Sequence, residues 1–203
     1  MNYTIFDTPV VNTLARRFSL FMLKLTGWKF EGKMPDIPKF IMIAAPHTSN
    51  WDLLYTLFFA FALNVKIYWM GKDAIFRRPF GGVCKWLGGI IIDRSKSNSV
   101  VDTMIEALRK NEKLILAVSP SGTRSKVAYW KTGFYHIANG ANVPVVLSFL
   151  DYRRRAGGIG PVVYPTGDIE EDMKIIREFY SGITGKYPEK AIGTAAVRVK
   201  NSK

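Results

Sequence analysis

His47 and Asp52, in the stretch Ala45-Pro46-His47-Thr48-Ser49-Asn50-Trp51-Asp52, are residue types that can together make a general base. An imidazole accepts a proton near neutral pH, and a carboxylate on its other ring nitrogen fixes its tautomer and orientation. The spacing sets a condition. On one continuous helix, residues five apart lie about 140° apart and point away from each other. The pair can meet only if His47 lies in a loop and Asp52 in the first turn of the next helix. Local signals favour that junction. Phe40 to Ala45 reads as an extended apolar strand that Pro46 ends, and Leu53 to Leu63 reads as a helix. Thr48, Ser49 and Asn50 are all good N-cap residues, and the helix dipole favours Asp52 in the first turn. The plainer alternative is a histidine that only satisfies its neighbours near a helix start.

Two further polar clusters follow apolar strands. Asp93-Arg94 follows Gly89 to Ile92, and Ser121-Gly122-Thr123-Arg124 follows Leu114 to Val118. If these strands run parallel to Phe40–Ala45, their carboxyl ends share one edge of the sheet, where sites in open α/β sheets form. Gly122 allows close backbone approach to a ligand. Thr123 offers a hydroxyl, and Arg94 and Arg124 can each fork onto a phosphate or carboxylate. Taken singly, each arginine reads as a solvated surface charge. Together with a base, they describe a transferase acting on a phosphorylated alcohol.

The elements that must position these residues alternate. Val10 to Lys29 reads as a helix with Leu14, Phe18, Phe21, Met22 and Leu25 on one face, and Arg17 and Lys24 close together on another side. It is either packed on the domain or lies in a membrane interface with Trp28 near its end. Gly32 to Pro38 is a turn-rich link. Lys66 to Met70 reads as a short strand, and Phe76 to Leu87 as a loop and short helix. Val100 to Lys110 is an amphipathic helix capped by Asn98 or Ser99. Thr132 to Asn139 is a helix closed by Gly140, and Val143 to Leu150 a strand. A basic Gly-rich loop is expected from Arg153 to Gly160, then a short strand near Val162. Asp168 to Ser181 reads as a helix and Ala195 to Val199 as a final strand. The class is therefore α/β: a single domain with a largely parallel or mixed central sheet flanked by helices. Residues 1–38 form an N-terminal amphipathic helix and linker, and 39–203 the domain proper.

The bulk numbers bound the partners. With 203 residues the chain can bury a real core, and 48% hydrophobic with 22% charged residues is a globular balance. The 29 Lys and Arg against 16 Asp and Glu give a net charge of +13, a surface that attracts anions such as nucleic acid, anionic lipid, phosphorylated metabolites or an acidic carrier protein. One cysteine, Cys84, excludes an internal disulfide and a multi-cysteine zinc site, and two histidines argue against a His-rich metal site. His136 reads as structural, and Cys84 as a buried inert thiol. No secretory signal is evident, and no uncharged apolar run reaches the roughly 18 residues that span a bilayer.

Four segments, in order, carry a resemblance. His47 to Asp52 matches His, four residues, Asp. Gly89-Ile90-Ile91-Ile92-Asp93-Arg94 matches a Gly-containing apolar strand ending in Arg. Ser121-Gly122-Thr123-Arg124-Ser125 matches Glu-Gly-Thr-Arg-Ser, and Val143-Pro144-Val145-Val146 an apolar segment with Pro. From about Phe40 to Leu150 the chain resembles the glycerophosphate/lysophosphatidate acyltransferases of the PlsC type. The resemblance implies transfer of a fatty acyl group from an acyl thioester to a hydroxyl on a lipid precursor. It implies His47 as general base, Asp52 orienting it, and Arg94, Ser121, Gly122, Thr123 and Arg124 at the acceptor's phosphate. The donor is acyl-CoA or an acidic acyl carrier protein, and the acceptor a lysolipid. No cofactor or metal is implied. The place of action is the cytoplasmic face of a membrane, where the protein sits peripherally on an anionic surface. Ser121 departs from the family's Glu, and the chain is short for the family. The acceptor is thus open between lysophosphatidate, another lysolipid and an amino-acid-linked hydroxy lipid. The alternative to an enzyme is a basic lipid- or nucleic-acid-binding module on the same fold, which would have no need of the His47–Asp52 pair. Neither a Gly-x-Ser-x-Gly nucleophile elbow nor a Gly-rich nucleotide loop occurs.

Overall fold

A computed structural model describes residues 3–93 and 97–191. The strands are β1 (Lys29–Glu31), β2 (Lys39–Ala45), β3 (Tyr68–Lys72), β4 (Gly89–Ile92), β5 (Leu114–Val118), β6 (Val145–Asp151) and β7 (Ala156–Val163). The helices are α1 (Pro9–Leu25), α2 (Trp51–Ala62), α3 (Gly81–Trp86), α4 (Ser97–Lys110), α5 (Gly133–Ala141) and α6 (Ile169–Tyr180). The strands form one sheet in the order β1-β7-β6-β2-β5-β3-β4. All neighbours are parallel except the β6–β7 hairpin. The single α/β domain with a mixed sheet is the one expected.

Strands β2 and β5 lie in the middle of the sheet and are buried on both faces, which is why they read as unbroken apolar runs rather than alternating ones. Ile41, Ile43, Leu116, Val118, Val145 and Leu147 face a layer that includes Leu108, Phe134, Ile137 and Ile176 of α4, α5 and α6. Phe40, Met42, Trp69, Ala117 and Val146 face the opposite layer, with Leu57, Ala60 and Phe61 of α2. The parallel pairing of β2, β5, β3 and β4 brings their carboxyl ends to one edge.

Three segments differ from the sequence reading. Helix α1 stops at Leu25 rather than Lys29, because Gly27 takes a left-handed φ of 73° and turns the chain into β1. Trp28 is therefore 8% exposed and packs at 4.4 Å on Tyr55 and 5.0 Å on Tyr152, instead of marking a membrane interface. Helix α5 runs through Gly140 and is closed by Asn142, whose φ is 52°. A side chain at Gly140 would strike Ile105 of α4, so that glycine serves close helix packing and not a helix end. The Arg153–Gly160 stretch is not a loop: Arg153 to Arg155 turn the chain, and β7 begins at Ala156. The expected strand at Ala195 to Val199 lies outside the described residues.

The wide apolar arc of α1 divides into two faces. Ser19 and Leu23 are buried against the domain, with Met22 beside them. Val10, Leu14, Phe18, Phe21 and Leu25 stay exposed. Among the described residues no helix is long and apolar enough to cross a membrane.

Candidate active site

The chain leaves β2 through a cis Ala45–Pro46 bond, passes His47 to Asn50, and enters α2 at Trp51. Asp52 falls in the first helical turn, as the spacing argument requires. Asn50 occupies the N-cap position but makes no side-chain capping bond. Ser49 Oγ instead accepts from Trp51 N–H at 3.2 Å, and Asp52 reaches back to the loop. Its Oδ2 accepts the backbone N–H groups of Thr48 at 2.7 Å and Ser49 at 2.8 Å. The same oxygen lies 3.1 Å from His47 Nδ1. Its Oδ1 accepts the hydroxyl of Tyr152 at 2.7 Å.

These contacts fix the electrostatics. Asp52 is 4% exposed. Burial pushes its carboxyl up, but the hydrogen bonds from His47, Tyr152, Ser49 and Thr48 together outweigh burial and hold it below the ordinary carboxylate value. An ionised carboxylate only accepts, so Nδ1 of His47 carries the proton and Nε2 the lone pair. The His47 side chain is 26% exposed and lines a cavity of about 980 Å³. An imidazole held in this way can act as a general base.

The cavity has a polar and an apolar part. Gly122, Thr123, Arg124 and Lys131 line it together with His47 and Asp52. Ala44, Phe59, Leu63, Leu150 and Ile159 extend it as an apolar space. Gly122, at a φ of 62°, makes the turn that closes with its N–H on Ser119 O at 3.0 Å. Ser121 turns the other way. Its Oγ donates to the Thr123 carbonyl at 2.8 Å and lies 3.0 Å from Ser119 Oγ, so it braces the loop from inside. Arg94 lies outside the described residues, and Asp93 is exposed at the end of β4. The structure thus brings His47, Asp52, Gly122, Thr123 and Arg124 to one cavity. Among the described residues no three His, Cys, Asp or Glu side chains are grouped as metal ligands would be.

Sequence reading missed Tyr152. It directly follows β6, whose carboxyl end lies beside that of β2, with Phe149 paired to Ala45. The shared-edge argument applied to this strand as well would have singled it out. The reading also missed the segment after α6, where Tyr187 N–H donates to Thr48 Oγ1 at 3.2 Å and Thr184 O accepts Tyr152 N–H at 2.9 Å.

A family model described as Acyltransferase matches residues 29–148, more than half of the chain, including His47 to Asp52 and Ser121 to Arg124. The protein belongs to the acyltransferase family. The acyltransferase is similar in fold to the 1-acyl-sn-glycerophosphate acyltransferase PlsC from Thermotoga maritima. That crystal structure superimposes with a TM-score of 0.57 at 22% identity, over 83% of this chain and 76% of that one. No curated protein matches the acyltransferase sequence. Tyr152 and the segment after α6 lie beyond the stretch that defines the family.

Proposed function

We propose that the protein transfers a fatty acyl group from an acyl thioester, on coenzyme A or on acyl carrier protein, to the hydroxyl of a lysophospholipid. His47 Nε2 takes the acceptor's hydroxyl proton as that oxygen attacks the thioester carbonyl. The tetrahedral intermediate collapses, the C–S bond breaks, and the leaving thiolate takes the proton back from the imidazolium. Asp52 holds the imidazole and offsets its charge while it carries the proton. The nucleophile is the acceptor's own oxygen, so no acyl-enzyme forms.

Gly122, Thr123 and Arg124 hold the acceptor's phosphate, Arg124 as a charged fork and Gly122 through close backbone approach. Arg94 is assigned to the same phosphate from its place in the second motif alone. Ser121 acts through the loop it braces. The apolar part of the cavity takes the acyl chain. The exposed row on α1, with Arg17 and Lys24 on the same helix and a net charge of +13, supports docking on an anionic membrane surface at the cytoplasmic face.

The observation that carries this reading is the 3.1 Å contact between a cavity-lining His47 and a buried, ionised Asp52. A pure binding module gains nothing from it. The test is mass spectrometry of lipids after incubating the purified protein with acyl-CoA or acyl carrier protein thioester and a mixture of lysolipids. Heavier diacyl products that depend on the protein support the reading. A mixture left unchanged with both donors contradicts it.

A further inference from the structure

The two oxygens of the Asp52 carboxylate have different partners. Oδ2 serves His47, Thr48 and Ser49, whereas the bond to Oδ1 comes from Tyr152, a residue 100 positions further along the chain. The terminal torsion of an aspartate is broad and roughly two-fold, so its own rotamer preference does not lock the carboxylate plane. A donor on each oxygen does.

Tyr152 is built to be such a donor. Its backbone N–H is tied to Thr184 O at 2.9 Å. Its ring meets Trp28 edge-on at 5.0 Å and Tyr55 at 6.1 Å. The segment that holds it also holds the catalytic loop through Tyr187 N–H and Thr48 Oγ1. The charged and titratable groups around it are Asp52, Tyr55, Tyr187 and Lys186, whose Nζ stands 6.0 Å from the ring. Burial and then the bond to Asp52 push the phenol's pKa up, so the hydroxyl keeps its proton for donation at every working pH.

We propose that Tyr152 is a positioning residue for the general base, holding the Asp52 carboxylate in the plane that keeps Oδ2 on His47 Nδ1. The role rests on the acyl-transfer reading for its purpose, but its geometry is independent of it. Without the hydroxyl, Oδ1 is buried with no side-chain donor among the described residues, and the carboxylate plane is held from Oδ2 alone. His47 then loses part of the contact that orients it.

The test is Tyr152→Phe in the full chain, which keeps the ring and its packing. Loss of a hydrogen bond to a charged acceptor corresponds to roughly a 10- to 100-fold fall in kcat. KM for the lysolipid is expected to stay within about twofold, because Tyr152 does not line the cavity. The chain has only two histidines, so ¹⁵N-imidazole NMR resolves each one. The Nδ1 chemical shift of His47 is expected to move in the variant while that of His136 stays. A kcat within twofold of wild type with an unmoved His47 Nδ1 resonance overturns the proposal. So does a loss of activity that comes with a raised KM and an unmoved His47, which marks a general structural role. A shifted His47 in a protein that transfers no acyl group upholds the positioning role and instead refutes the acyl-transfer reading.

Discussion

Replacing Asp52 by Asn keeps the shape of the site and removes one charge. The amide oxygen can take the Oδ2 place, where it still accepts from Thr48 N–H, Ser49 N–H and His47 Nδ1, now at or near 2.7, 2.8 and 3.1 Å. The amide NH₂ then meets the Tyr152 oxygen, which can accept. The opposite amide orientation would set NH₂ against two N–H donors and is disfavoured. What disappears is the attraction between carboxylate and imidazolium. At a separation of 3.1 Å a unit pair is worth roughly 5 kcal/mol at an effective dielectric of about 20, and about 1.3 kcal/mol in bulk water. Asp52 is buried, so the upper part of that range applies, and kcat is expected to fall about 10²- to 10⁴-fold. The assay is release of free thiol from acyl-CoA in the presence of lysolipid, with the thermal midpoint as the control for folding. A folded Asp52→Asn protein with kcat within threefold of wild type would refute the claim that the carboxylate stabilises a proton on His47. Asp52→Ala separates charge from structure. It strips the acceptor from two buried N–H groups and is expected to cost about 2–4 kcal/mol of stability.

Three other outcomes follow from the same geometry. The folded pKa of Asp52 is below its unfolded value, so its contribution to stability is complete above about pH 4 and is lost as pH falls through the folded value; acid-unfolding curves of wild type should show this loss and those of Asp52→Asn should lack it. The double substitution Leu14→Glu and Phe21→Glu, at positions 59% and 60% exposed, should weaken binding to anionic vesicles at least about tenfold and leave the melting temperature nearly unchanged, as checked by vesicle sedimentation and calorimetry. Ala44→Leu adds bulk to the apolar part of the cavity and should shift donor preference towards shorter acyl chains, read from relative kcat/KM across a chain-length series.

Much of the fold was legible because the central strands are covered on both faces. A strand such as Leu114–Val118 has no polar side to disguise it, and its boundaries are those read from the sequence. Only the end of β7 near Val162 was legible, since Gly157, Gly158, Gly160 and Pro161 look like loop composition. Its glycines answer a tertiary demand: a Cβ on Gly158 would stand 2.0 Å from the carbonyl oxygen of Glu31, so only glycine lets β1 pair there. The His47–Asp52 junction was legible from spacing alone, because Pro46 and the apolar run after Asp52 fix which residue is loop and which is helix. Tyr152 was missed because the shared-edge argument stopped at the strands followed by charged or hydroxyl clusters, and its bond to Asp52 spans 100 positions. The inward turn of Ser121 was equally hidden, since a residue type does not say which side of a turn its hydroxyl takes.

The central claim is that His47 is the base in an acyl transfer. Its most direct measurement is the rate of diacyl product formation by His47→Ala and by wild type, with the same acyl thioester and lysolipid and with both proteins shown to be folded. General-base catalysis is typically worth about 10² to 10⁴, so the variant is expected to be slower by at least 10²-fold with its lysolipid affinity largely kept. Turnover near wild type in a folded His47→Ala protein would contradict the account.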